Sequence, residues 1–339
     1  MKKLIKRIIL VSIVALVAVG AVIGAVLGRA EKRVTRASGT VTQNADEDAD
    51  VPQTVNILLM GLDSKAGLCD VIMLVGIDRA RGRVTVAQIP RDTYAEYSDS
   101  SYKKLNGAYS SLGGAEQTAK FLADAFDITV HHYACISLDT FSSLVDAVGG
   151  VDVDVPCDMR YRDPEQGLYI DLKAGMAHLD GRAAQQFVRY RSGYADGDLG
   201  RIDAQKLFMA AALEKLACDV SAIDKVRLAM ALDGVETDMS ISDLLALSAY
   251  VIDVDTQSIA LLTLPGKEAT ATQSGAGYYV ISKDATAEIV EKYFAGKGDF
   301  DPNKTFLNDR YDHFGQIYGS YAEYSVISVD EIIRKGIDL

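Results

Sequence analysis

Hydrophobic and polar positions divide the chain into stretches of different periodicity. Residues 8–27 are 20 consecutive uncharged positions, mostly Ile, Val, Leu, Ala and Gly. As a helix rising ~1.5 Å per residue they cover ~30 Å, the hydrocarbon thickness of a bilayer. The run exceeds the ~7–15 residues of a signal-peptide apolar region. An uncleaved transmembrane helix over residues 8–28 is therefore expected, with a cleaved secretory signal as the alternative. Residues 1–7 form a short basic N-terminus placed on the cytoplasmic side, because the 300 residues after the anchor contain no second span. Residues 29–53 are polar and aperiodic, as a tether between membrane and domain would be.

The pattern changes at Val55. VNILLM (55–60), VIMLVGI (71–77) and RVTVAQI (83–89) are short aliphatic runs bounded by Gly, Asp and Pro, which predicts three strands. The first two are apolar nearly throughout, as central strands covered on both faces are. Helical spacing follows over 115–125, a strand over 129–136, and a second helix over 137–148 closed by Gly149 and Gly150. VDVDV (151–155) alternates with period 2, the mark of a half-exposed strand. Further helices are predicted over 200–216 and 285–294, and strands over 258–264 and 278–281. The mixture predicts an α/β domain over residues 54–295, helices layered over a central mixed sheet. Residues 296–339 form an aromatic C-terminal extension, expected to pack on that domain.

Charge sharpens the division. The net charge is −12 for 339 residues, yet residues 1–36 carry +7 and the remainder −19. An acidic domain of this kind excludes a general nucleic-acid binder, since neutralising phosphates requires surplus Lys and Arg. Cys69, Cys135, Cys157 and Cys218 suit an exported domain with zero, one or two disulfides, or isolated buried thiols. His131, His132, His178 and His313 have no metal-site spacing, and the chain contains no GxxxxGK[ST], GxSxG or HExxH motif.

Candidate chemistry gathers at strand ends. Asp63 and Asp70 flank the loop after the first strand, where two carboxylates can serve a hard cation such as Mg2+, with Mn2+ as the alternative; a turn cap and a solvating charge are the plainer reading. Pro90 sets a rigid exit that displays Arg91. In VRYRSGYADGDLGRIDAQ (188–205), Arg189 and Arg191 have period-2 spacing and in extended chain project to one side. Arg201 and Gln205 share a helix face one turn apart. Three guanidiniums around a Gly-rich turn beside a helix N-terminus can receive a diphosphate, and a solvated loop with local Arg/Asp pairs is the other reading.

Taken in order, NILLMGLDS, IPRD, KKLNGAYSSLGG, FSSLVDAVGGVDVDVP, GLYIDLKAGMAHLDGRAAQQFVRYR and DLGRIDAQ resemble the LytR-CpsA-Psr family of envelope proteins across about residues 54–295. The resemblance implies an α/β sandwich around a mixed sheet that holds a polyprenyl pyrophosphate lipid. It implies transfer of a glycopolymer from that carrier onto peptidoglycan, forming a phosphodiester and leaving the polyprenyl phosphate. On the same basis Asp63 and Asp70 match Mg2+-associated carboxylates, and Arg91, Arg189, Arg191 and Arg201 match pyrophosphate-gripping arginines. Gln205 matches a glutamine on the same helix, and Lys65 and Lys104 are read as further substrate contacts. Lys65 stands where the family usually carries Arg, Leu68-Cys69-Asp70-Val71 replaces Arg-Ser-Asp-Thr, and the loop between the two Asp is shorter than usual. A point charge replaces a guanidinium fork at Lys65, while both Asp and four Arg remain. The expected enzyme is a single-pass membrane protein with its catalytic domain on the extracellular face. A polyprenyl-pyrophosphate pyrophosphatase and a non-catalytic polyprenyl-phosphate-binding regulator are the rival readings.

Overall fold

Strands form here because successive side chains enter two different cores. In β1 (Thr54–Asp63), Val55 and Ile57 join one core while Leu58 and Met60 join the opposite one. β2 (Leu68–Asp78) divides Met73 and Val75 from Ile72 and Leu74 in the same way. Burial on both faces removes the polar alternation, so these runs read as continuously apolar. The structure, a computed structural model, describes residues 53–97, 103–164, 167–218, 225–251, 254–296, 314–317 and 324–337. The apolar run at 8–27 lies outside the described residues, among which no helix is long and apolar enough to cross a membrane.

β3 (Arg83–Gln88) pairs antiparallel with β2, as β2 does with β1. Two helices follow, α1 (Ala108–Leu112) and α2 (Ala115–Phe126), and then β4 (His132–Ser137), parallel to β1. Ser137 caps α3 (Leu138–Ala147) by accepting the Thr140 N–H. A run of short elements comes next: β5 (Val151–Val155), β6 (Met159–Asp163), β7 (Leu168–Leu172), β8 (Gly175–Leu179) and α4 (Gly181–Arg189). β5 buries Val151, Val153 and Val155 and exposes Asp152 and Asp154, as its period required. The rest of the chain supplies α5 (Asp198–Cys218), α6 (Lys225–Leu232), β9 (Val235–Thr237), α7 (Ile241–Val251), β10 (Ile259–Thr263), β11 (Gly266–Ala271), β12 (Gly277–Ile281), α8 (Lys283–Phe294), β13 (Phe314–Ile317), β14 (Ile327–Ser328) and α9 (Val329–Lys335).

The central sheet has seven strands in the order β14-β10-β3-β2-β1-β4-β9 and is mixed, with β3/β10 and β1/β4 parallel and the other pairs antiparallel. Residues of α3, α5, α7 and α9 cover one face, and residues of α2 and α8 the other. A third core, centred on Phe187, Tyr190 and Phe208, lies beneath β5–β8 and α4.

Two boundaries differ from the sequence pattern. Residues 129–131 fall outside the fourth strand, whose register with β1 begins at His132: His131 N–H still donates to Asn56 O at 2.8 Å, but the other links there run through side chains. The Asn56 side chain donates to Thr129 O at 2.9 Å, and its backbone N–H donates to His131 Nδ1 at 3.0 Å. The segment after residue 296 is also more than a packed appendage. β14 forms the edge of the central sheet beside β10, β13 pairs with β11, and α9 buries Val329 and Ile332 in the main core.

The same Asn56 amide donates to Phe294 O at 2.8 Å, and Arg83 donates to Lys292 O at 2.7 Å, satisfying carbonyls at the end of α8. α8 can come this close because its neighbour on β2 is Gly76. A Cβ there would lie 2.7 Å from Tyr293 O and 2.8 Å from the Phe294 ring. Gly76→Ala is therefore expected to destabilise the domain by about 1–3 kcal/mol, the usual cost of overpacking, read from the urea unfolding midpoint.

Burial, and then the neighbouring His132, hold the His131 pKa below its ordinary value, and the Asn56 N–H donates to Nδ1, which also requires the neutral ring. The unfolded chain takes up this proton near pH ~6.5 and the folded one only below that. The contribution is thus complete above that pH and is lost as the pH falls toward the lower folded value. Urea midpoints are expected to drop between pH 7 and pH 5, and His131→Asn, which keeps an acceptor without a titration, should reduce the drop.

Candidate functional site

The ends of β1, β2 and β3 meet the C-terminus of α4 and the first turns of α5. Asp63 closes β1, and its Oδ1 accepts the N–H groups of Lys65 at 3.0 Å and Ala66 at 3.3 Å. This is the turn-capping arrangement expected of Asp at that position. Gly67, at φ 67°, completes the turn. The ladder slips just before it: Gly61 opposes Val71 but Leu62 opposes Cys69, so Asp70 is the extra residue of a bulge. Bulges re-aim a side chain, and Asp70, like Asp63, faces the pocket.

Beyond the rigid Pro90 exit, Arg91 donates to Asp70 Oδ1 at 2.6 Å and places its Nε 3.4 Å from Asp198 Oδ1. Asp198 opens α5 and, three residues on, holds Arg201 at 3.0 Å. The Arg201 side chain is only 5% exposed. Burial pulls the Arg201 pKa down, with Asp198 acting against it. Burial acts on Arg91 in the same sense, but Asp198 and Asp70 outweigh it and its pKa is raised. Asp198 was not among the site residues anticipated from the sequence; the signal that could have found it is its Asp-x-x-Arg spacing to Arg201.

Arg189 and Arg191 reach the pocket by another route than period 2. α4, capped by the Asp180 side chain, remains helical through Arg189, and Tyr190 then turns extended at φ −67°, ψ 137°. Arg189 therefore occupies the last helical turn, where a cation is favoured, 3.6 Å from Asp63 Oδ2. Arg191 follows outside the helix and lines the same pocket. Gln205 also lines it, with its amide committed to the scaffold: Nε2 donates to Val188 O at 2.9 Å and Oε1 accepts from Gln88.

Two anticipated contacts lie off the pocket wall. Lys65 is exposed on the β1–β2 turn, with Ala66 lining the pocket in its place. Lys104 pairs with Asp92 at 2.9 Å, next to the site rather than in it. Cys69, Cys135 and Cys157 are free thiols. Cys69, beside Asp70, has its pKa driven up by a hydrogen bond with Cys135 and by burial, which makes it an unreactive core group.

The pocket these groups border has a volume of about 470 Å3. Leu59, Met73, Ile136, Phe141, Tyr161 and Met209 give it apolar walls, while Arg91, Arg189, Arg191 and Arg201 stand against only two lining carboxylates, Asp63 and Asp70. The buried Nε of Arg201 has no hydrogen-bond acceptor, whereas that of Arg91 faces the Asp198 carboxylate. Leaving a buried donor unmet costs about 1–3 kcal/mol, and with four arginines against two lining aspartates the apolar pocket has a cationic end suited to an anion. Among the described residues no group of three or more His, Cys, Asp or Glu is placed to hold a metal ion. A cation held here would rest on Asp63 and Asp70 and take further oxygens from phosphate and water, which is how Mg2+ is usually bound.

Asp198→Ala would leave two largely buried guanidiniums without their shared carboxylate. The expected loss is about 3 kcal/mol, seen as a lower urea midpoint; an unchanged midpoint would mean that Asp198 does not hold the arginines together.

Residues 25–295 match the model of the LytR_cpsA_psr family. The chain is 30% identical over 260 residues to the polyisoprenyl-teichoic acid–peptidoglycan teichoic acid transferase TagV of Bacillus subtilis (strain 168), covering 73% of this chain and 66% of that protein. It is 29% identical over 240 residues to the transferase TagU of the same description from Oceanobacillus iheyensis, covering 68% of this chain and 72% of that one. The match therefore spans just under two thirds of the first relative's length. The crystal structure of Bacillus subtilis TagV superposes with a TM-score of 0.60 at 27% identity, covering 71% of this chain and 95% of that one.

Proposed function

The chain belongs to the LytR-CpsA-Psr family, and from that premise we propose that it is a phosphotransferase moving a glycopolymer from a polyprenyl-pyrophosphate carrier onto a hydroxyl of peptidoglycan. The observation that carries the reading is the joining of an apolar pocket to a head of four arginines and two aspartates. An isoprenoid chain suits the walls formed by Leu59, Phe141 and Met209, and a diphosphate suits the guanidiniums. The relatives' names point to the same chemistry. The apolar run at 8–27 would tether the domain to the bilayer that presents the carrier, with the domain on the extracellular face.

In the proposed reaction the acceptor hydroxyl oxygen bonds to the glycan-side phosphorus, and the bond from that phosphorus to the bridging oxygen breaks. The polyprenyl phosphate leaves with the bonding pair. A proton moves from the hydroxyl to a carboxylate at the site, Asp63 or Asp70. Arg91 and Arg201, fixed by Asp198, and Arg189, beside Asp63, offset the charge on the departing phosphate without needing to reorganise. Mg2+ held by whichever of Asp63 and Asp70 does not take the proton would supply a Lewis acid at the diphosphate. The fixed arginines make this a task of positioning and electrostatics rather than of covalent catalysis.

Asp70→Asn and Arg189→Ala are each expected to lower transfer by about 100-fold or more, with EDTA inactivating the wild-type protein and Mg2+ restoring it. The measurement is mass-spectrometric release of polyprenyl phosphate from a lipid-linked donor, with and without peptidoglycan acceptor. Wild-type rates in both variants would overturn the site, and release without acceptor would make the protein a hydrolase.

A further inference from the structure

Outside the apolar pocket, on the far side of Arg91, a second group of side chains is held in fixed geometry. Asp92 pairs with Lys104 at 2.9 Å, and both side chains keep about a quarter of their surface in solvent, 28% and 23%. The Asp92 carboxylate lies 3.9 Å from Arg91 Nε, so this pair is continuous with the phosphate end of the pocket. Lys104 Nζ stands 5.8 Å from the ring centre of Tyr278. That ring is braced edge-on by Tyr94 at 5.4 Å and by Phe314 at 6.0 Å.

The backbone locks the group together. Tyr279 N–H donates to Asp92 O, Tyr94 N–H to Tyr279 O, Leu105 N–H to Thr93 O and Asn106 N–H to Arg91 O, at 2.8 to 3.0 Å. The strand bearing Tyr278 and the segment bearing Lys104 are thus both stitched to the exit that carries Arg91. Neither the pocket nor the central sheet requires this arrangement of an aromatic ring beside a half-exposed ion pair.

Resting on the transferase reading above, we propose that Asp92, Lys104 and Tyr278 form a saccharide-binding subsite next to Arg91. A sugar ring has apolar C–H faces that settle on an aromatic ring. Its hydroxyls donate to a carboxylate and accept from an ammonium, giving charge-assisted bonds. A group bound to a phosphorus held by Arg91, or approaching it, can lie on this surface, since the Asp92 carboxylate is 3.9 Å from Arg91 and the apolar pocket takes the other end of the donor. The sugar is either the first residue of the donor glycan or the acceptor residue of peptidoglycan. The rigid bracing of Tyr278 means that little side-chain freedom is lost on binding.

The test uses the full chain in detergent, a short lipid-linked glycan donor and a soluble peptidoglycan fragment, with steady-state kinetics on Lys104→Met and Tyr278→Leu. Thermal melting of each variant and rescue by Lys104→Arg guard against a folding defect. An approximately tenfold rise in acceptor KM, with donor KM moving less than twofold, assigns the subsite to the acceptor sugar. The reverse split assigns it to the donor sugar. If the wild-type protein transfers and neither KM moves in either folded variant, the subsite is overturned while the transferase reading stands. An absence of wild-type transfer would strike that reading itself, and nuclear magnetic resonance titration of the soluble fragment onto the protein then tests the subsite separately. Shifts that are lost in Lys104→Met support it, and no shifts in the wild-type protein overturn it.

Discussion

The ion pair between Asp70 and Arg91, 2.6 Å long, ties the bulge of β2 to the exit of β3, and Asp198 extends the tie to the first turn of α5. Two successive strands and a helix more than 100 positions later are thereby registered at one point. Asp70 and Asp198 each answer a cation whose burial would otherwise be costly. Arg201, nearly fully buried, has Asp198 as its carboxylate partner and touches the Asp70 carbonyl at 3.5 Å. Carboxylate oxygens and guanidiniums alternate from β2 to α5, so the cationic surface offered to a phosphate is rigid before any ligand arrives.

Much of this was legible in the sequence because its cause is local. The apolar runs of β1 and β2 announced a sheet covered on both faces, and the alternation of β5 announced its half-exposed position. The chemistry-bearing residues could also be found, since Asp63, Pro90 and the Gly-rich approach to α5 punctuate strand and helix ends. What failed was local as well. Arg189 and Arg191 look like partners on a strand, but the Asp180 cap and the helix-favouring Ala183, Ala184, Gln185 and Gln186 carry α4 through Arg189. The hairpin β6–β7 was hidden because each strand is only five residues long and buries a single side chain, Met159 or Ile170, so its alternation is brief.

Other features were invisible because their causes are distant. No local pattern indicates that Asn56, in the middle of an apolar strand, is needed to satisfy carbonyls of two other segments. The bulge at Asp70 depends on a one-residue mismatch between two strands, and the placement of Lys104 on Asp92 depends on how the segment around it returns to the β3 exit. Asp198 belongs to the same class: its spacing to Arg201 could be read, but its reach to Arg91 could not.

The strand order has a consequence for the way the chain acquires its structure. β3 cannot find its second neighbour locally: Val84 pairs with Ile259, 175 positions later, and β10 in turn is covered by β14 near the end of the described chain. Closing such long loops before the contacts repay them slows folding. Until the last strand docks, the edge of β10 presents unpaired backbone groups. A domain with this topology is therefore most exposed to misassembly at the end of its folding, and its final 14 described residues act as the closure of the sheet and not as a trailing segment.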